Sequence, residues 1–401
     1  MLRSLKSGSS YLILFVLFFF LYLRENLVSD ATKDLNKSSS YLVFIYLAGI
    51  VLTVVFFFIK QQKGKHLKED GFLVYYSSIF VVFSFLSFFW SAVYPTPITV
   101  SIVLLTPLFV VYISYYSIIQ TKNDTLFHYL VIIGFFALCV TYFQYAQLKV
   151  ILAAFGDENL SSSYYILYVL PIILAFKKKY LSSISLILTL IILVLSNKRA
   201  GTIAFIIACL VYLIVCFLVE NKNKRSVFKN VFFICVMASC FFYFAADYVS
   251  FTDLPIIERM QRVETGAQDE SRYEIWMITN KLIGDSNLFQ YLFGHGFNAV
   301  LRDNPMKYSA HNDFLEIMYD FGLFVLIAYI ILHIKLYKKS VELVKSKSKY
   351  AAAFIFSVVV FELNSMVSHI IIYPYHAMTF AFVWGCILGM KKKNNLLRVN
   401  I

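Results

Sequence analysis

Charge is scarce in this sequence: Asp, Glu, Lys and Arg make up 15% of its 401 residues, against roughly 25% in ordinary soluble proteins. That scarcity leaves too little polar surface for a soluble globular domain. Hydrophobic residues take 60% of the chain and aromatic residues 18%, and the mean hydropathy is +0.73. Lipid is the solvent that suits such a surface. The six cysteines (Cys139, Cys209, Cys216, Cys235, Cys240 and Cys386) all fall within apolar runs, so neither a disulfide framework nor a cysteine metal site is readable and they count as packing residues. No small-residue cleavage site follows the first apolar run, which is expected to stay as a helix. Repeats, low-complexity tracts and a separate soluble domain are also lacking.

The formal net charge of +13 could suggest nucleic acid as a partner. The basic residues, however, sit in short clusters between apolar runs and form no single stripe, which excludes that reading and makes them topology signals. Runs near the roughly 20 residues needed to cross a bilayer fall at 10–23, 41–59, 72–93, 100–119, 126–145, 163–176, 181–195, 201–219, 227–248, 314–336, 350–372 and 374–390. Irregular backbone is costly in lipid, so each is expected to be a helix. When the connections are counted alternately, one set gathers Arg3 and Lys6, Lys60 to Lys68, Lys122, Lys177 to Lys179, Lys222 to Lys229, Lys335 to Lys349, and Lys391 to Arg398. The other set holds fewer bases and most of the acids. The basic set is expected inside, with both termini cytoplasmic. The fold class is therefore all-α: a polytopic membrane protein of about twelve transmembrane helices. Residues 1–248 carry the first nine, residues 249–313 a large extracytoplasmic loop with short helices, and residues 314–401 the last three and a cytoplasmic tail.

Long loops are where chemistry tends to be placed. Within this one, Glu270 to Trp276 begins a helical pattern in which Tyr273, Trp276, Met277 and Leu282 share an apolar face, as on a helix half-submerged at the membrane surface. Gly294-His295-Gly296 is a turn signal, and His311 and Asn312 precede Asp313 and Glu316, a spacing like that of a capping box. His311 then sits just ahead of a transmembrane helix, near its positive dipole end. Ser196 to Gly201 forms a tight outer turn that places Arg199 at a similar depth, where a phosphate would offset the cost of desolvating a guanidinium. Each residue has a plainer reading. Arg199 can snorkel to headgroups, Arg272 can pair with Glu270 or Glu274, and a lone His311 can be solvated. His295, His369 and His376 carry weaker signals, and the intramembrane carboxylates Asp320 and Glu362 are either functional or bonded to a neighbouring helix.

The pieces gain meaning from their order: Asn197-Lys198-Arg199-Ala200-Gly201, then Ser271-Arg272 with Trp276, then Gly294-x-Gly296, then His311-Asn312-x-Phe314-Leu315-Glu316 with Gly322 following. This resembles the O-antigen ligase and O-antigen polymerase family of bacterial inner-membrane proteins. The resemblance implies a membrane glycosyltransferase of the GT-C type that uses undecaprenyl-diphosphate-linked glycans on the periplasmic side, in lipopolysaccharide and related polysaccharide biosynthesis. It places Arg199 and Arg272 on the donor diphosphate and His311 as the base, and so nominates these three as catalytic. Lys198, Arg259, Arg262, Arg302 and Asn312 are substrate contacts by location. The resemblance leaves room for a chain-length regulator protein as a partner beside the lipid bilayer. No cofactor is called for, since two arginines can stabilise a diphosphate leaving group, and no Asp-x-Asp pair or His/Cys cluster with metal-ligand spacing is found in the outer loops.

Polymerase is the preferred activity because Arg259, Arg262 and Arg302 are spread over the long loop, where they could track an extended glycan. A ligase, which passes the glycan to lipid A-core, is the alternative. A transporter is a further reading, disfavoured because the distinctive residues gather at one face and not near the midplane.

Overall fold

The computed structural model describes residues 2–31, 71–89, 97–121, 124–152, 163–196, 198–219, 271–370 and 374–399. Among them are thirteen α-helices and no strand. In chain order they are α1 (Leu2–Ala31), α2 (Gly71–Phe89), α3 (Pro97–Gln120), α4 (Asp124–Leu152), α5 (Tyr164–Ala175), α6 (Lys179–Leu195) and α7 (Arg199–Val219). They continue with α8 (Ser271–Gly284), α9 (Leu288–Phe293), α10 (Ala299–Asp303), α11 (Asp313–Lys345), α12 (Ala351–Val367) and α13 (Pro374–Val399). The expected runs at 41–59 and 227–248 lie outside the described residues, as do Arg259 and Arg262.

Among the described residues three helical segments are long and apolar enough to cross a membrane: Thr125–Gln144, Ala200–Val219 and Asp313–Lys345. Shorter apolar helices accompany them at Gly71–Ser87, Leu104–Gln120, Tyr164–Ala175, Lys179–Leu195 and Ala351–Val367. Their outward faces are apolar as well, with Ile133 on α4, Leu210 and Ile214 on α7, and Phe324, Ile327 and Ile330 on α11 all exposed. Large contiguous apolar surface of this kind needs lipid to cover it, and the chain is a multi-pass membrane protein.

Lipid gives helices no hydrophobic reason to associate, so close packing and interhelical hydrogen bonds must hold the bundle. α13 supplies both. Gly385 and Gly389 lie one turn apart on the face towards α3, where an added Cβ would come within 2.6 Å of the Val111 carbonyl oxygen and 2.8 Å of the Tyr115 carbonyl oxygen. Such small residues let two backbones touch. On another side, Trp384 packs among Phe72, Tyr76, Phe361 and Phe380 with ring centroids 5.2–5.5 Å away. Its indole N–H donates to Ser357 Oγ at 2.9 Å, and the Tyr76 hydroxyl donates to the Ala377 carbonyl at 2.8 Å.

At one end of the bundle the lysines find partners: Lys391 meets Glu342 at 2.5 Å, and Lys393 donates to the Thr121 carbonyl. α11 and α13 run past their apolar stretches here, to Lys345 and Val399, because basic side chains can extend a helix beyond the hydrocarbon. At the other end α12 stops at Val367, earlier than its apolar run suggests, and Ser368 turns into extended backbone.

α8 corrects the expectation of a single apolar face. Tyr273 and Met277 are exposed, but Trp276 is half-buried and donates its indole N–H to the Ala310 carbonyl at 2.8 Å. Leu282 turns instead to a small core with Ala299, Val300, Ala310 and Tyr319. A polar anchor for the ring decides the helix's roll.

α11 is broken at Gly322, where φ is 81° and ψ 179°. The segment after α9 crosses the break, with His295 and Gly296 N–H donating to the carbonyls of Tyr319 and Asp320 at 2.9 Å each. Gly294 (φ 82°) is within 2.3 Å, measured from an added Cβ, of the Asp320 carbonyl oxygen, and Gly322 makes the reciprocal approach to Leu292. Both φ values belong to a region that a side chain occupies only with strain. Gly294→Ala is therefore expected to destabilise the protein by about 1–3 kcal/mol, read as a lower unfolding midpoint in detergent. Gly284→Ala, which meets nothing within 4 Å, is the control, and equal midpoints for the two variants would remove the argument.

Candidate functional site

Two carboxylates in the first turn of α11 hold the site together. Asp313 accepts the Ile370 N–H on both oxygens, at 3.0 and 3.2 Å, and the Tyr329 hydroxyl at 3.1 Å. Glu316 accepts the Ala310 N–H at 2.5 Å. One acid thus fixes the turn after α12 and the other fixes the strand of chain before α11, both at the helix end whose dipole favours negative charge. The capping box read from Asp313 and Glu316 is corrected here. The cap is Asn312, one residue earlier, whose Oδ1 accepts from Phe314 and Leu315 N–H at 2.9 and 3.1 Å. Asn312 Nδ2 donates to the Met366 carbonyl at 3.0 Å, so both ends of its amide are engaged by protein.

These ties bring the rings of His311 and His369 together, with centroids 4.6 Å apart and planes tilted by 36°. His311 is partly buried and takes a left-handed backbone (φ 51°), uncommon for a residue with a side chain. Among the described residues its ring nitrogens meet no hydrogen-bond partner, whereas His369 Nε2 lies 2.8 Å from Ser309 Oγ and His369 Nδ1 lies 3.8 Å from Glu316 Oε2. Burial, then the positive charges of Arg272 and Lys198, push His311 down to about 4. His311 is thus neutral at physiological pH.

Arg272 lies in the first turn of α8, exposed, with no ion pair among the described residues; in particular it makes none with Glu274. Its charge acts on His311, His369 and Tyr164. Lys198 is buried just ahead of α7, with its ammonium 5.6 Å from the centre of the Tyr164 ring, a cation–π arrangement. Tyr164 in turn stands 6.2 Å from the His376 ring, and His376 Nδ1 donates to the His369 carbonyl at 2.8 Å. The ends of α5, α6, α7, α8, α11, α12 and α13 therefore meet around one cationic, imidazole-rich spot.

The remaining expectations divide. Arg199 opens α7, one residue after Lys198, and its side chain lies outside the described residues. Arg302 in α10 pairs with Asp303 through two bonds of 2.7 Å, holding that carboxyl below its usual range, and no described contact joins it to His311. His295 stacks on Tyr319 at 4.0 Å. Asp320 caps α10 by accepting Asn298 and Val300 N–H at 2.7 and 3.0 Å, and Glu362 bonds His333 Nδ1 at 2.6 Å. Both intramembrane acids thus take the reading of a bond to a neighbouring element. Among the described residues no cluster of His, Cys, Asp and Glu could hold a metal ion. The sequence reading passed over Tyr164 and the role of Glu316 as a backbone tether, and it ranked His369 low; the one signal was polar and aromatic residues gathered at ends of apolar runs.

A search of curated proteins finds no match to the chain. Residues 184–330, which run from α6 through the break in α11 and include Lys198, Arg272 and His311, match the family model described as O-antigen ligase. Over that segment, less than half of its length, the chain is similar to the O-antigen ligase family.

Proposed function

We propose that the chain is a polymerase of surface polysaccharide repeat units of the O-antigen type. It would transfer a glycan from undecaprenyl diphosphate to a lipid-linked acceptor. The observation that carries the reading is a histidine that burial and two nearby cations hold neutral, with no hydrogen-bond partner at its ring nitrogens among the described residues, at one end of a membrane bundle. The bundle would be of the GT-C type with about twelve helices, in the bacterial inner membrane with both termini cytoplasmic. The lysine-rich end lies opposite the site, and the positive-inside rule then turns the site to the periplasm.

In this reading Arg272 and Lys198, joined by Arg199 on the family resemblance, hold the donor diphosphate. The bond from the anomeric carbon to the diphosphate oxygen breaks, and fixed cations stabilise the charge that develops on the leaving group. The acceptor hydroxyl oxygen bonds to that carbon from the opposite side, inverting it, and its proton passes to His311. At a pKa of about 4, His311 of the empty site is a weak base. A diphosphate against Arg272 and Lys198 offsets the charges that depress it, so donor occupancy raises its basicity. Base strength is thus coupled to the presence of something to transfer.

The alternative is a ligase, and the acceptor decides between them. In a strain without this gene, the proposed polymerase predicts loss of long chains only, with single repeats still joined to core; loss of every attached repeat would make it a ligase. In a reconstituted assay His311→Ala is expected to lose more than about tenfold in turnover, and Arg272→Ala about a hundredfold or more. Unchanged rates would remove the roles.

The coupling has its own check. Histidine NMR of the empty protein should show His311 titrating near 4. Inorganic pyrophosphate should move the midpoint up towards an ordinary value of about 6.5, as should Arg272→Ala without it, because each removes net positive charge from the neighbourhood of the imidazolium. A midpoint indifferent to both would sink the proposal.

A further inference from the structure

His311 has a problem of position. Its backbone is in the left-handed region, and no hydrogen bond within the described residues orients its ring. A base must nevertheless be held to a fraction of an ångström, since misplacement by about 1 Å can cost a hundredfold in rate. Among the described residues the ring packs against that of His369, with centroids 4.6 Å apart and planes tilted by 36°. His369 is well suited to serve as a fixed wall. It is 4% exposed, its Nε2 lies 2.8 Å from Ser309 Oγ, its carbonyl accepts from His376, and the next amide is clamped by Asp313. His369 also lies outside the segment that matches the family model, so the match assigns it nothing.

We propose that His369 is the positioning residue for His311: a buried imidazole whose ring face sets the base's orientation and keeps water from its inner side. This rests on the reading of His311 as the base. The groups facing His369 are His311, Glu316 and Asp313 from α11 and its approach, Arg272 from α8, and His376 from α13. Burial and then the charges of His311, His376 and Arg272 hold His369 well below the usual imidazole range, so it stays neutral. A neutral wall leaves the proton on His311 when an acceptor hydroxyl gives it up.

The test compares His369→Ala, which removes the wall, with His369→Phe, which keeps a flat ring. His369→Ala is expected to lose about 10- to 100-fold in kcat, with the donor KM altered less than about threefold. Water entering beside His311 relieves its desolvation, so its titration midpoint in the substrate-free protein should rise from about 4 towards the ordinary value, and the acid limb of the rate profile should follow it upwards. His369→Phe should return kcat to within about fivefold of the wild type and bring the midpoint back down. Wild-type behaviour of the alanine variant, or a phenylalanine variant as impaired as alanine, overturns the proposal. If neither variant folds, Ser309→Ala, which frees only His369 Nε2, should still raise the midpoint, and an unmoved midpoint overturns it as well. The midpoint does not depend on turnover. An inactive wild-type protein on a lipid-diphosphate donor would therefore strike down the transfer reading while leaving the positioning result legible.

Discussion

The site depends on how two buried acids are neutralised. Asp313 and Glu316 are 0% and 1% exposed, and a carboxylate so placed is expensive unless every lone pair is answered. Here the answer comes from backbone N–H groups of Ile370 and Ala310, from the Tyr329 hydroxyl, and from the positive end of the helix on which both residues ride. Arg272 makes no ion pair among the described residues and is available to an anion from outside. The same bonds join two stretches of chain 60 residues apart, Ser309 and His369, closely enough to bond each other. Geometry and charge at the site are two results of one set of hydrogen bonds.

A second constraint is the broken helix. Gly322 ends one rod of α11 inside a membrane protein, where freed backbone groups must be satisfied locally. The segment around Gly294 does this by lending the His295 and Gly296 N–H groups to the Tyr319 and Asp320 carbonyls. Asp320 then turns its carboxylate to the N-terminus of α10. The loop between α9 and α11 is thereby bolted to the first rod of α11, which also carries Asp313 and Glu316. Residues borne on the loop ahead of α11, His311 among them, are held here as on a scaffold.

The helices were legible because apolar runs bounded by basic clusters are a strong and simple signal. The described helices match the expected runs to within a few residues at α5, α6 and α7. The departures occur where a polar partner outside the run decides the outcome. α12 ends early because His369 and Ile370 are drawn to Ser309 and Asp313, and α8 rolls because the Trp276 indole finds a carbonyl 34 residues away. Arg272 and His311 could be nominated from order and context, and their mutual electrostatic reach is seen in the structure. His369 could not be ranked the same way. Nothing in local spacing says that a residue beyond α12 will stack on one before α11, and the contact exists only through tertiary hydrogen bonds. The pair Gly385 and Gly389 was readable in principle as small residues one turn apart, yet only a facing helix makes such a pair more than composition.

Basic residues in this chain serve two purposes, and their partners distinguish them. Lys339, Lys391 and Lys393 at one end are bonded to Glu342 or to a backbone carbonyl; they extend helices and mark a side of the membrane. Arg272 and Lys198 at the other end stand around an imidazole, which they make harder to protonate. Cations gathered around a partly buried imidazole raise the free energy of the empty site, and a bound anion relieves that cost. Burial is the larger cause of the depression of His311 and the two cations add to it, so a ligand that brings negative charge within reach of both restores part of its basicity. A diphosphate, as in the proposed reading, would do so, and a neutral sugar alone would not. Charge balance by itself thus favours an anionic ligand at this end of the bundle.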